Sequence, residues 1–298
     1  MFDKKLSEKM KYLILGMIFL FLSSQIFPQQ KKMVLNQLIT TEYLFAASAA
    51  EIGTRDSFLK FIADDGIIFR PGPVNGKTFL TNAPNRPGLL SWYPIHAEIS
   101  KDGDIGFTTG PAEFRKDKDS AAIWFGNFCT VWQKQYDGEF KFVIDYGNSN
   151  EKPSDKLEPL KFETRKPKPT SSIIKKKELK ADQLFDLDRK FAKLIAEVGT
   201  ETAYKKFINK DSRLLRDGEF PFIGTTKIIN YLSQKRDNYK FNPLGGKISS
   251  SNDLGFTYGE METNNGGMTK EQFNYMRVWK RDGKNWFILA EVANKIEK

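Results

Sequence analysis

Apolar residues in the first half of the chain change their spacing once, from a helical to a strand-like pattern. Between Leu38 and Ile52 they recur at intervals of three or four residues, which predicts a helix with one apolar face. A second apolar group at 58–62 predicts a second helix. Alternating segments joined by Asp-Gly turns then predict strands in hairpins. These strands are 92–100, 104–115, 121–136 and 139–147.

The same order of elements returns 146 residues later. The segment from Phe45 to Arg70 aligns without a gap with the segment from Phe191 to Arg216, and Gly-Thr follows the first predicted helix in both copies. Solenoid repeats are about 20–50 residues long, so a repeat of this length indicates a duplicated domain. The strands predicted for the second copy are 241–250, 253–263, 271–281 and 285–293.

Helices followed by an antiparallel meander predict an α+β domain, here present twice in tandem. We expect N-terminal helices packed on a curved antiparallel sheet in each copy. The predicted organisation is a signal peptide at 1–30, domain 1 at 31–148, a basic Pro/Lys-rich linker at 149–182 and domain 2 at 183–298.

The N-terminal segment has the pattern of a targeting sequence. Four lysines precede an apolar run from Tyr12 to Leu22, and small and polar residues follow it. The run is shorter than the roughly 20 residues of a membrane-spanning helix, which favours a cleaved signal peptide over an uncleaved anchor. We therefore expect a periplasmic or secreted protein.

Much of the net charge of +10 lies in the N-terminal segment and in the linker. The linker alone carries ten Lys/Arg against six Asp/Glu, with one aromatic residue, Phe162, and no set of aromatic residues interleaved with the basic ones that could stack on bases. The charge therefore does not predict nucleic-acid binding. The single cysteine, Cys129, lies in an apolar strand and is expected to be a buried thiol. The sequence has no metal-ligand cluster or phosphate-binding loop, so no metal or cofactor is predicted.

Three segments of domain 1 carry a family resemblance. They are 45–77, with the run Ile-Ala-Asp-Asp-Gly-Ile-Ile-Phe-Arg-Pro-Gly-Pro, then 90–111, and finally 130–145. Together they resemble the SnoaL-like branch of the nuclear transport factor 2-like superfamily, and 184–293 resembles it more loosely. The resemblance implies a cone-shaped α+β scaffold that hosts isomerases, cyclases, dehydratases and binding modules. It also implies sheet-mediated pairing, here as an intramolecular pseudo-dimer.

Carboxylates on the apolar helix faces are the least expected residues of the sequence. Glu42 stands on the face of the first helix, and Asp188 stands at the matching position of the second copy. A buried carboxylate is costly unless it is paired. Each has an arginine at the same distance downstream, so we predict structural ion pairs Glu42–Arg70 and Asp188–Arg216.

Two residues of domain 1 are the candidates for acid–base catalysis, His96 and Asp145. Strand alternation places Trp92, His96 and Glu98 on one sheet face. Counted from the Asp-Gly turns, Asp145 aligns with Ala290, one position from Glu291. Because neither candidate is repeated at its matching position in domain 2, the signal for an enzyme is weak.

Aromatic residues on the strands could form either cores or ligand pockets. The candidate pocket residues are Trp92, His96, Trp124, Phe128 and Trp132 in domain 1 and Phe241, Tyr275 and Trp279 in domain 2. The leading prediction is a non-catalytic module that binds a small apolar ligand or associates with a protein through its sheet faces. The alternatives are a proton-transfer enzyme of the isomerase, cyclase or dehydratase kind, and a purely structural role with filled pockets.

Overall fold

The computed structural model describes residues 30–161, 181–235, 238–264 and 270–296. The predicted signal peptide (apart from its last residue) and most of the predicted linker, 162–180, lie outside these ranges. Within them, no helix is both long and apolar enough to cross a membrane.

Domain 1 has three helices and seven strands. The helices are α1 (30–52), α2 (Thr54–Phe61) and α3 (Gly76–Asn82). The strands are β1 (Ile62–Phe69), β2 (Pro73–Asn75), β3 (Leu89–Trp92), β4 (His96–Ile99), β5 (Ile105–Arg115), β6 (Ala122–Lys134) and β7 (Phe140–Asn150).

Domain 2 repeats this order. Its helices are α4 (Ala181–Val198), α5 (Thr200–Phe207) and α6 (Thr225–Gln234). Its strands are β8 (Arg213–Arg216), β9 (Phe222–Ile223), β10 (Asn238–Ile248), β11 (Leu254–Asn264), β12 (Lys270–Asp282) and β13 (Asn285–Lys295). Gly53 (φ 90°) and Gly199 (φ 81°) form the sharp joint between the first two helices of each domain, a conformation that favours glycine.

The fold class is α+β, as predicted, with one sheet in each domain. The strand order is β2-β1-β7-β6-β5-β3 in domain 1, where β4 also pairs with β5, and β10-β11-β12-β13-β8-β9 in domain 2. The sheets are mixed rather than purely antiparallel, because β1 lies parallel to β7 and β8 lies parallel to β13. Neither parallel pair is joined by a tight turn, because the chain passes through β2, α3 and β3–β6 between β1 and β7, and through β9, α6 and β10–β12 between β8 and β13.

The face predicted for His96 was wrong. Trp92 pairs with Ala112 and His96 pairs with Thr109, so three residues on this edge, 93–95, face two on β5. The extra residue inverts the alternation of the side chains beyond it. Trp92 therefore packs in the core under the helices, while His96 lies on the opposite face.

The two sheets pack against each other through the faces that do not carry helices. Their shared core contains Phe69, Phe107, Cys129, Val131 and Ile144 from domain 1 and Leu215, Phe256, Met276, Val278 and Val292 from domain 2, among others. At its rim, the carboxylate of Asp104 accepts the backbone N–H of Ser250 (2.7 Å), and the carboxylate of Asp253 accepts that of Lys101 (3.1 Å). These reciprocal bonds relate the domains by an approximate two-fold axis. Both faces of each sheet are thus covered.

Candidate functional site

The interior of the domain 1 cone is filled by aromatic rings. The ring of Phe45 on α1 lies 4.7 Å from that of Phe58, 4.8 Å from that of Trp92 and 5.5 Å from that of Phe142, measured between centroids. Trp132 is fully buried among them. Rings at these distances and angles are packed in the edge-to-face and offset arrangements of a protein core. The predicted pocket on the concave sheet face is therefore occupied by the protein's own side chains.

Glu42 is completely buried in this core and has hydrogen bonds on both oxygens. Trp92 Nε1–H donates to Oε1 (2.5 Å), while Thr108 Oγ1–H (2.5 Å) and Trp132 Nε1–H (3.0 Å) donate to Oε2. Burial raises the pKa of Glu42 to about 7, although the donated hydrogen bonds act to lower it. The carboxyl group thus changes charge near neutral pH without a cation beside it.

Asp145 is the second acid of this region. It is half-buried on β7 and accepts a hydrogen bond from Thr130 Oγ1 (2.6 Å) on the neighbouring strand. Burial raises the pKa of Asp145 to about 6, and the hydrogen bond from Thr130 and the charge of Arg70 oppose the rise. Asp145 and Glu42 repel each other when both are charged. Two coupled carboxyl groups with raised pKa values therefore lie in domain 1.

The matching region of domain 2 is an ion network. Arg277 Nη1 pairs with Asp188 and its Nε pairs with Glu291, which also pairs with Arg216. The hydroxyls of Tyr275 (2.7 Å to Asp188) and Tyr204 (2.7 Å to Glu291) complete the network. Burial alone would raise the pKa of Glu291, but Arg277 and Arg216 lower it below its usual value. Two buried acids are thus balanced by two buried arginines.

Both predicted ion pairs were wrong in their partners. Arg70 is exposed and donates to the carbonyl oxygen of Phe69, so it does not contact Glu42. Arg216 pairs with Glu291 and not with Asp188. The alignment of Asp145 with Ala290 was also wrong. Thr130 pairs with Asp145 as Arg277 pairs with Glu291, and Asp145 follows Thr130 by 15 positions whereas Glu291 follows Arg277 by 14.

His96 lies between the two domains, away from Asp145. Its ring packs on Phe107 (5.6 Å between centroids), and its Nε2 is buried without a hydrogen-bond partner. Burial lowers the pKa of His96 to about 4, and the charge of Arg213 contributes to the shift. The histidine is therefore neutral at ordinary pH. The two residues proposed for acid–base chemistry do not converge on one site.

The predicted pocket aromatics fall into three groups. Phe128 and Trp132 belong to the core of domain 1, and Phe241, Tyr275 and Trp279 pack in the core of domain 2 or against it. Trp124 is 37% exposed near the start of β6. Trp92 alone of the predicted set lines one of the three cavities that we describe next.

An opening lies where domain 1, the segment after β7 and a loop of domain 2 meet. We call it the junction cavity, and its volume is about 530 Å³. Trp92, Tyr93 and Phe125 come from the sheet of domain 1, Leu157 from the segment 151–161, and Phe220 from the β8–β9 loop. Polar and charged groups come from Asn127, Asn150, the ion pair Glu113–Arg115 (2.7 Å), and Lys152, Asp155 and Lys156 of the segment 151–161. The walls are thus largely apolar and contain a few convergent polar groups.

A smaller inner cavity of about 200 Å³ adjoins the junction cavity. Four residues line both: Asn127, Leu157, Phe220 and Pro221. The inner cavity reaches between the sheets to Thr109, Leu215 and Arg213. A shallower depression adjoins the junction cavity at Tyr43, Tyr93 and Leu160, where the hydroxyl of Tyr43 donates to the carbonyl oxygen of Leu160 (2.7 Å).

Sequence reasoning missed most of these lining residues. Residues 151–161 fall in the predicted linker but are bonded to domain 1. Leu160 N–H donates to the carbonyl oxygen of Pro94 (2.8 Å), and the hydroxyl of Tyr93 donates to the carbonyl oxygen of Leu157 (3.0 Å). These contacts hold the segment over domain 1. Apolar residues within a basic, proline-rich stretch were the available signal. Among the described residues, no three His, Cys, Asp or Glu side chains are grouped to hold a metal ion.

Comparison with solved structures finds similarity to proteins of about half this length. A ketosteroid isomerase-like protein from Erwinia carotovora atroseptica is 12% identical, with a TM-score of 0.34, over 41% of this chain and 99% of its own. An NTF2-like (nuclear transport factor 2-like) protein from Cytophaga hutchinsonii is 17% identical, with a TM-score of 0.33, over 39% of this chain and 98% of its own. An NTF2-like protein from Shewanella oneidensis is 12% identical, with a TM-score of 0.33, over 38% and 97%. No protein-family model and no curated protein matches the chain.

Each half of the chain has helices followed by a mixed, mostly antiparallel sheet. Fold alone does not determine activity. The fold and the cavities define a tandem α+β protein. Its own side chains fill the two cones, and a cavity opens at the domain junction.

Proposed function

We propose that this chain is a non-catalytic binding protein that holds a small, largely apolar molecule in the junction cavity. The observation that carries the proposal is the composition of this cavity: a mostly apolar surface with aromatic and aliphatic residues, several polar and charged side chains, and a volume of about 530 Å³. Small-molecule sites in proteins are commonly concave, mostly apolar and about 300–1,000 Å³ in volume. The ligand site therefore lies at the domain junction, and not inside the cones as the sequence suggested.

Two further observations support binding over protein association through a sheet face. One face of each sheet carries its helices, and the other carries the second sheet, so neither is open. The lining of the junction cavity also comes from three distant parts of the chain, which hold it only in the folded, two-domain state. The signal-like N-terminus supports the accompanying proposal that binding takes place outside the cytoplasm.

A proton-transfer enzyme in domain 1 is the second candidate. It is favoured by the raised pKa of Asp145, which is half-buried beside Thr130, because perturbed acids concentrate at functional sites. Three features weigh against it. Glu42 has all its hydrogen bonds within the core, His96 faces the other domain, and neither Asp145 nor Glu42 lines the junction cavity.

The test is binding of the neutral fluorophore N-phenyl-1-naphthylamine to the full chain. We expect saturable binding that Phe220→Ala weakens about tenfold, because removal of a large ring from a ligand site costs on the order of 1–2 kcal/mol. Phe220 is 48% exposed, so the substitution should not unfold the protein.

Tyr136→Ala is the matched control, since it removes an 85% exposed ring that lines none of the described cavities. It should leave binding unchanged. Absence of saturable binding to the unmodified chain, or equal effects of the two substitutions, would show that the junction cavity is not a ligand site. The Asp145→Asn variant separates the second candidate, because it should leave fluorophore binding intact.

A further inference from the structure

Arg213 is a cation without a partner at the inner end of the cavities. It is half-buried at the start of β8, and its Nε is inaccessible and has no hydrogen-bond partner. No carboxylate among the described residues lies within ion-pair distance of its guanidinium. The nearest acid by sequence, Asp211, attracts it from a distance but is paired with Lys210 (3.9 Å). An arginine in such surroundings usually has a carboxylate or phosphate partner.

The internal repeat shows that this arginine departs from the pattern of the interface. The position of Arg213 in domain 2 corresponds to that of Ile67 in domain 1, whose side chain packs in the shared core of the two sheets. Similarly, Thr109 stands where domain 2 has Tyr258, a larger residue that packs against the same core. Thr109, in place of a tyrosine, leaves space between the sheets. Arg213, in place of an isoleucine, puts a cation at the wall of that space. The inner cavity therefore combines a void and a charge at the site of Thr109 and Arg213, whereas the equivalent site of Tyr258 and Ile67 is part of the packed core.

The polar groups beside Arg213 in this cavity are neutral. Asn127 Nδ2 donates to Asn150 (2.7 Å), and Thr109 Oγ1 donates to the carbonyl oxygen of Phe128 (2.5 Å). The remaining lining is apolar, with Ile95, Leu157, Leu215 and Phe220 among its residues. An anionic group in the inner cavity would meet one cation there, Arg213, while Lys152 and Lys156 are cations of the outer, junction cavity.

We propose that the ligand of the junction cavity is an amphipathic carboxylate, with its apolar body against Trp92 and Phe220 and its carboxylate on Arg213. This inference rests on the proposed function and deepens it by naming the chemical class of the ligand. The adjoining cavities fit such a molecule, because the larger is mostly apolar and the smaller ends at the guanidinium. Arginine recognises carboxylates through two parallel N–H donors, which gives both affinity and orientation.

The experiment displaces N-phenyl-1-naphthylamine from the full chain with decanoate and, separately, with the neutral decanol. We expect decanoate to displace it at about tenfold lower concentration, as a charge-assisted hydrogen bond to the ligand allows. Arg213→Met, which keeps the length of the side chain, should remove this preference. It should leave fluorophore and decanol affinity within about twofold. Arg213→Lys should restore part of the preference.

Arg115→Met is the control, because Arg115 also lines the junction cavity but is already paired with Glu113. The Arg115→Met protein should prefer decanoate over decanol as strongly as the unmodified chain does. Equal displacement by decanoate and decanol in the unmodified chain would overturn the carboxylate assignment while leaving the proposed function in place. An equal loss of the decanoate preference in Arg213→Met and Arg115→Met would also overturn the carboxylate assignment and leave the proposed function in place. If the neutral fluorophore itself does not bind, the proposed function fails first.

Discussion

Arg277 and Thr130 stand at the same place on equivalent strands of the two domains, each directly opposite an acid of the next strand. Arg277 contacts both Asp188 and Glu291, while Thr130 can only donate a hydrogen bond to Asp145. The pKa of Glu291 is consequently lowered and the pKa of Asp145 is raised. The exchange of arginine for threonine thus accompanies the difference between a balanced ion network in domain 2 and a pair of acids with neutral hydrogen-bond donors in domain 1.

Removal of Arg277 should destabilise domain 2 strongly. Arg277→Met leaves Asp188 without its paired cation and leaves Glu291 with only one of its two arginines. Both acids lie in a region that water does not reach. Breaking a buried pair in this way costs about 3–5 kcal/mol. Chemical denaturation followed by tryptophan fluorescence and circular dichroism measures the change.

Arg189→Met is the control for that substitution. Arg189 forms an exposed pair with Asp186 (3.5 Å), and exposed pairs contribute about 0–1 kcal/mol. If the two variants lose similar stability, the buried network does not hold domain 2 together.

The stability of domain 1 should fall as the pH rises from about 4.5 to about 7. Glu42 has a pKa of about 7 in the folded protein against 4.5 as the ordinary value, so the folded state binds more protons over this range. A group with a raised pKa stabilises the fold below its unfolded pKa, and this stabilisation is lost as the pH passes the folded pKa. The shift corresponds to a loss of about 3 kcal/mol. Asp145 adds a smaller loss that ends near pH 6.

Glu42→Gln should flatten this pH dependence, because glutamine has no charge to desolvate. The measurement is the free energy of unfolding of the full chain between pH 4.5 and 8, with Glu51→Gln as a control on the exposed side of the same helix. A pH profile that is unchanged in Glu42→Gln would mean that Glu42 has an ordinary pKa in the folded protein.

Local patterns were sufficient to predict the elements of this fold. Apolar spacing between Leu38 and Ile52 predicted α1, Asp-Gly pairs predicted three of the hairpins, and the repeat predicted a second domain of the same order. The burial of Glu42 and Asp188 on their helix faces was also predicted correctly. These features depend on residues within about one element, where periodicity and turn chemistry are informative.

The partners of those acids could not be found by equal spacing. Asp145 lies eight positions after the aspartate of its Asp-Gly turn and Glu291 lies nine after that of its own, which shifted the count that aligned Asp145. An extra residue at 93–95 inverted the face of His96. A signal for Arg277 was nevertheless present. It has the same strand parity as Tyr275 and Trp279, both buried, so an inward-facing arginine was readable beside an inward-facing acid.

The junction cavity was beyond prediction because its walls come from three distant parts of the chain. Nothing local in Phe220 or Leu157 indicates that they meet across the domain boundary. The volume left between the sheets depends on differences in residue size at equivalent positions, such as Thr109 in domain 1 and Tyr258 in domain 2. These differences create a cavity only where the two domains pack together.

The reciprocal bonds at the rim predict crossed effects on hydrogen exchange. Asp104→Ala should accelerate exchange of the Ser250 amide about tenfold, and Asp253→Ala should accelerate that of Lys101, since each amide donates to the other domain's carboxylate. Exchange measured by mass spectrometry with peptide resolution tests this. Asp137→Ala, in an exposed turn of domain 1, should change neither. Acceleration confined to the mutated domain would contradict the crossed arrangement.

Thr109→Tyr should close the inner cavity, because it introduces the residue that domain 2 carries at the equivalent position. Thr109 lines this cavity and is otherwise buried, so a tyrosine ring can extend only into the void beside Arg213. Decanoate should then lose its advantage over decanol, while the neutral fluorophore still binds in the junction cavity. Tyr258→Phe is the control, since it alters the equivalent residue of domain 2 without changing the cavity. Retained preference for decanoate in a folded Thr109→Tyr protein would place the carboxylate outside the inner cavity.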